Sequence, residues 1–326
     1  ERICKALDLP LEAPLIQDLD HPALMRRWMD RSGGLVNIHQ SYLLAIGQIN
    51  KQPPSSIAFQ GYMMDTFLGI APRVKSVNDD KTLQNYMNLY YTTSSILKRL
   101  FSNAVELDKA LKRRIREVYH SIEGKPYYKM MFLDMQNRGL HYSGGFDTML
   151  AEETHCFSPG ASIEAIRFAQ TLPKDLAGNK RAKLGMLKQY FPKIAQFPGA
   201  DGISLFDVSS KPYVIKNPLL KNTLPLLKSI LTGMKKDPAP NTEHEWIRKH
   251  KYYYHIHHKF INDSALVRDG FLDEKGLKHS WRLHQLGGYQ AWTLMSALSA
   301  EIAYRTLVKQ ESIEDVHQWL FEEVEQ

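Results

Sequence analysis

The stretch SSIAFQGYMMDTFLG, residues 55–69, decides how the fold is read. Ile57-Ala58-Phe59 is a short apolar run of the kind a buried strand shows. Gly61 follows at the point where a chain leaving a strand must turn tightly, and glycine permits that turn. Tyr62 and Asp65 come next, then Phe67-Leu68-Gly69. In an open α/β sheet, ligands bind in the crevice beyond the carboxyl ends of the strands. On that reading Tyr62 and Asp65 project toward such a crevice. An ordinary strand-to-helix loop would use the same residue types.

Working outward, residues 11–17 form a second strand candidate, and residues 39–50 space Leu43, Leu44, Ile46 and Ile49 as a helix does. Strand, helix, strand implies part of a parallel sheet. After residue 75 the pattern is almost wholly helical. Residues 83–101 are rich in apolar and aromatic side chains. Residues 104–121 predict an amphipathic helix with Val105, Leu107, Leu111, Ile115 and Val118 on or near one face. Ser162 is placed to cap a helix through Ile163, Ile166 and Phe168 toward Pro173. Residues 286–309 and 312–325 predict two closing helices, the second opened by Ser312 and strongly acidic. Residues 235–245 read as a polar loop. The expected class is α/β with an incomplete parallel sheet: residues 1–75 as the remnant of a nucleotide-binding core, residues 76–326 as a large, mostly helical extension of the same domain.

Composition narrows the function classes. Two cysteines, Cys4 and Cys156, cannot build a disulfide framework and fit a reducing compartment, so a cytoplasmic location is expected. No apolar run reaches the ~20 residues that span a bilayer. The net charge of +7 suits an anionic ligand such as a nucleotide, or nucleic acid. The chain opens on Glu1 inside what reads as a helix running into a strand, so further sequence is expected upstream.

Residues 55–69 resemble the second nucleotide-site motif of the asparagine synthase family, a strand followed by Gly-(Glu or Tyr)-Gly-x-Asp-Glu and a Gly pair. FDTMLAEETHCFSPGASIEAIRFAQTLP, residues 146–173, resembles the family segment that starts near Asp-Arg, passes through Pro-Phe-Leu-Asp and ends in a helix and Leu-Pro. NKRAKLGMLKQYFPKIAQFP, residues 179–198, resembles its lysine-bearing helix, and residues 251–308 fit its closing segment loosely. The resemblance implies an adenine nucleotide α-hydrolase-like core. It also implies an ATP- and magnesium-dependent ligase that adenylates a carboxylate and joins it to an amine, as in asparagine biosynthesis, with a glutaminase domain as a possible N-terminal partner. It assigns Gly61 and Asp65 to the nucleotide, Asp65 also to the metal, and Tyr62, Lys180 and Lys183 to catalysis. Tyrosine at position 62 resembles the β-lactam synthetase branch, where a tyrosine takes part in deprotonating the amine.

Several positions depart from the family pattern. Thr66 replaces the motif Glu, Met63-Met64 replace Gly-x, Thr148 stands in place of the arginine, and Pro159-Gly160-Ala161-Ser162 replaces Pro-Phe-Leu-Asp. They point to an amide- or lactam-forming ligase rather than to asparagine synthesis itself, or to a non-catalytic scaffold that keeps the fold.

Three other stretches carry less. Ser143-Gly144-Gly145-Phe146-Asp147-Thr148 imitates a pyrophosphate loop, but the residues before it are too polar for a buried strand, so this chain is expected to lack the phosphate-binding loop. His244-Glu245 begins like a zinc motif, yet Arg248 occupies the place of its second histidine. RKHKYYYHIHHK, residues 248–259, mixes cations and rings as single-strand binders do. At helical spacing the better reading is an amphipathic helix with Tyr252, Ile256 and Phe260 inward; a nucleic-acid-binding helical protein is the rival this stretch leaves, and no membrane partner is expected.

Overall fold

The computed structural model describes residues 4–5, 7–8, 20–36, 38, 57–59, 80, 83–84, 86–87, 100–136, 155–173, 176, 181–197, 243–288 and 290–322. The elements are α1 (His21–Ser32), β1 (Ile57–Phe59), α2 (Ala104–Ser121), α3 (Pro126–Asp134), β2 (His155–Phe157), α4 (Ile163–Thr171), α5 (Arg181–Tyr190) and α6 (Pro192–Ala195). Then follow α7 (Glu243–Lys249), α8 (Lys251–Asn262), α9 (Ala265–Arg268), α10 (Glu274–Gln285), α11 (Ala291–Ala303), a π turn (Tyr304–Val308) and α12 (Ile313–Phe321). Among the described residues no helix is long and apolar enough to cross a membrane.

The main core is built around α8. Its buried stripe is Tyr253, Ile256, His257, Phe260 and Ile261, and it packs against α7, α10, α11 and α12. Leu294, Met295, Leu298 and Ile302 of α11 and Val316, Leu320 and Phe321 of α12 complete the cluster. Each fully buried side chain of this size contributes about 1.5–3 kcal/mol of transfer free energy. Tyr252, expected inward, is only partly buried, and Tyr253 takes the inward place.

The helix α1 joins the same core through Leu24, Met25, Trp28 and Met29. The strand-helix-strand reading passed over it, although its signals are local. Asp20 caps it by accepting from the Ala23 N–H at 3.1 Å, and Pro22 occupies the first turn, where its missing N–H costs nothing. Gly33 ends it in the left-handed region and donates its N–H to the Met29 carbonyl at 2.8 Å. At Gly34, φ is +82° and a Cβ would lie 2.5 Å from the Ala303 nitrogen, so only glycine fits against α11. The expected strand at 11–17 and helix at 39–50 lie outside the described residues.

A smaller cluster joins α2 and α3 through Ile115, Tyr119, Met130 and Leu133, with Leu83, Tyr86 and Met87. The limits of α2 agree with the periodicity, but its inward face does not. Val105, Leu107 and Leu111 are exposed, and Ala104, Ile115 and Tyr119 are the buried residues, because α3 covers only that side. An antiparallel bridge between Phe101 and Leu272 ties the start of α2 to the loop before α10. The expected closing helix begins at Ala291 rather than 286, because Gly287 sits at φ +99° and breaks it. The expected loop at 235–245 yields to helix from Glu243, where Trp246 and Ile247 enter the core.

Candidate functional site

β1 forms where residues 55–69 predict a strand and pairs in parallel with β2, but Ile57 keeps 60% of its surface exposed, so it is not the buried strand expected. The register sets Ile57 opposite His155, Ala58 opposite Cys156 and Phe59 opposite Phe157. Ninety-eight residues separate each pair (155 − 57), so no local signal could announce the partnership. Because the strands are parallel, the chain leaves both at the same edge. From β1 it enters the stretch that holds Gly61, Tyr62 and Asp65. From β2 it enters Ser158 and the turn Pro159–Ala161. The ladder therefore sets Phe59, the last residue of β1, beside Phe157 and the turn that follows it.

The β2 side of this edge is fully described. Ala161 donates its N–H to the Ser158 carbonyl at 2.9 Å, and Ser162 donates its N–H to the Pro159 carbonyl at 3.2 Å, closing a 3₁₀ turn that buries Gly160. Ser162 then caps α4, its Oγ accepting from the Ala165 N–H at 3.1 Å. At an N-cap, serine and aspartate serve almost equally well. Tyr128 of α3 donates its hydroxyl proton to the Gln170 carbonyl at 3.0 Å, anchoring α4 to the smaller cluster.

On the β1 side, Gly61, Tyr62 and Asp65 lie outside the described residues, as does Lys180. Lys183 falls in the first turn of α5, with its side chain outside the described residues. The imitation pyrophosphate loop at 143–148 also lies outside them. Among the described residues no group of three His, Cys, Asp or Glu side chains is placed to hold a metal ion. Glu245 of the zinc-like sequence is committed to Lys249, 2.5 Å away.

The sequence reading missed a polar constellation in the helical core. Glu301 is fully buried and accepts from Ser264 Oγ at 2.8 Å, the Ala265 N–H at 2.7 Å, the Leu266 N–H at 3.0 Å and Arg305 Nε at 2.7 Å. It serves as a remote cap for α9. Arg305 also donates to Glu311 at 3.0 Å and to the Asp263 carbonyl at 3.2 Å, with its guanidinium carbon 3.8 Å from the centre of the Trp319 ring. Burial alone would raise the Asp263 pKa, but hydrogen bonds from Trp319 and Arg268 and the charges of Arg268 and Arg305 hold it below the usual carboxylate value. Every charge here is answered, which marks a structural network. The signal available in sequence was the Glu301–Arg305 spacing of four residues.

Histidines form a second group. His21 and His250 meet with ring centres 4.3 Å apart, joining α1 to the α7–α8 junction. Burial first, and the neighbouring His21 second, lower the His250 pKa. His257 is fully buried, and burial lowers its pKa to about 4 against the raising effect of its bond to the Tyr253 carbonyl. That bond, 2.7 Å long, fixes the proton on Nδ1.

Comparison with family models, curated proteins and solved structures finds no match to this chain. The candidate site therefore rests on its residues and on the parallel pairing of β1 with β2.

Proposed function

We propose that the chain is part of an asparagine synthase-like, ATP-dependent ligase that forms an amide or lactam from a small carboxylate and an amine. The observation that carries the reading is the parallel register of β1 and β2. It supports a shared edge for the Gly61–Asp65 stretch and the 158–162 turn, in the position where open α/β sheets bind ligands. ATP with magnesium would supply activation of the carboxylate as an acyl-adenylate and neutralisation of the phosphates.

This chain's residues take the other roles. Gly61 lets the backbone approach the nucleotide. Asp65 would hold the metal, whose charge would offset that of the phosphates. Tyr62 positions the amine and removes its proton, a general-base role that needs a lowered phenol pKa. Lys180 or Lys183 balances negative charge on the departing pyrophosphate.

A second reading, a scaffold that keeps the fold without chemistry, is favoured by one observation. Position 162, which the resemblance gives to an aspartate, is an uncharged serine that serves as the cap of α4. Calorimetric titration of the complete protein with magnesium–ATP separates the two. The ligase reading expects saturable binding that Asp65→Ala abolishes. No heat from the unaltered protein would leave the scaffold.

A further inference from the structure

The outer face of α8 carries rings and cations and no acid. Of its twelve residues none is Asp or Glu. Its inward stripe, described above, uses Tyr253, Ile256, His257 and Phe260 and leaves Tyr254 outside with 40% of its surface in water. The Tyr254 and His258 rings lie one turn apart, stacked with planes within 11° and centres 5.8 Å apart. Trp281 of α10 approaches Tyr254 with centres 5.4 Å apart and planes at 52°, closing one side. Lys251 is exposed three residues before Tyr254, its Nζ 5.6 Å from the centre of the Tyr252 ring, and Arg282 is exposed and follows Trp281 in sequence. The single acid of α10, Glu274, is taken up by Lys278 at 2.5 Å.

Tyr254 and His258 are exposed rings near cations, and such rings match a ligand with flat apolar faces and regular negative charge. Single-stranded nucleic acid has both: unstacked bases lie on aromatic rings, and phosphates follow the cations. A duplex hides its base faces, and an acidic peptide offers charge without them. We propose that the α8–α10 face binds single-stranded nucleic acid, with bases stacked on the exposed Tyr254–His258 pair and phosphates against Lys251 and Arg282. The proposal is independent of the ligase reading, which the Asp65→Ala titration tests separately.

The experiment is fluorescence anisotropy of a labelled oligothymidylate of about 12 nucleotides with the full chain, at about 50 mM salt and above. Binding is expected to weaken about tenfold or more in Tyr254→Ala, the cost of one lost stacked base. Circular dichroism should show the helices intact, since Tyr254 lies outside the buried core. The double variant Lys251→Gln, Arg282→Gln is expected to lower the slope of log affinity against log salt by about 1.4, two phosphate contacts at about 0.7 each on a single strand. No binding at low salt overturns the proposal. So does an affinity that Tyr254→Ala leaves unchanged, or competition by polyglutamate as strong as that by unlabelled oligonucleotide, which would mark a surface for acidic protein.

Discussion

The helical core around α8 and the ladder of β1 and β2 solve the same problem, covering apolar surface, to different degrees. Around α8, Trp28, Phe260, Leu298 and Ile302 are sealed from water, and the buried Glu301 has a donor at every side. At the ladder, Ile57 keeps 60% of its surface exposed and Phe157 keeps 52%. One region holds the stability and the other holds the edge to which we assign chemistry. The difference suggests that substitutions will divide cleanly: those around α8 should be read in unfolding, those at the ladder in ligand binding.

Glu301→Ala tests the division most severely. It leaves the Arg305 charge buried beside uncapped N–H groups of α9, and a loss of about 3–5 kcal/mol is expected in urea unfolding. A loss under ~1 kcal/mol would mean that Glu301 is not the closed cap described above. Leu298→Ala should cost about 2–5 kcal/mol through the cavity it opens.

Acid should weaken the same region. A folded pKa of about 4 for His257, below its unfolded value, means that the unfolded chain binds more protons in between. Stability is then complete above pH ~6.5 and falls as the pH drops toward ~4, by about 2 kcal/mol at pH 5. His250, shifted the same way, adds to the slope. Unfolding midpoints across this range would show it, and His257→Leu should remove most of it. A slope that survives that substitution assigns the effect elsewhere.

At the ladder the expected stability effects are small. Ser162→Ala should cost about 1 kcal/mol as a lost cap, while Ser162→Asp should restore it. If the aspartate variant instead gains magnesium–ATP affinity without gaining stability, the 158–162 turn takes part in binding. Ile57→Ala should stay within about 0.5 kcal/mol, as exposed positions do, and a larger loss would show that the ladder is covered in the folded protein.

These regions also differ in how far their sequences declare them. Ser162 and Ser312 announce helix starts because a cap acts within three residues, and the structure places both caps there. The run 57–59 was legible for its apolar character, whereas His155–Phe157 was not, because three residues with one histidine show no strand period. Leu107 and Leu111 show that helical spacing names a face without naming what covers it. Glu301 could be read as an ion-pair partner of Arg305, but its burial depends on Ser264, 37 positions away. Of the candidate site, residue types and their resemblance were readable, and the pairing that makes neighbours of two distant stretches was not.

The docking of α1 onto α12 has a consequence for biosynthesis. Arg26 pairs with Glu314, and His317 donates to the Pro22 carbonyl at 3.3 Å, so the first described helix of the chain is held by the last. Between Ser32 and Ile313 the ribosome must add 281 residues (313 − 32), which takes about 15–60 s at ordinary elongation rates. Throughout that interval Leu24, Met25, Trp28 and Met29 have no α12 to cover them. The newly made α1 is thus a natural client for chaperones, and a chain stopped before residue 313 would leave the apolar face of α1 without the cover of α12.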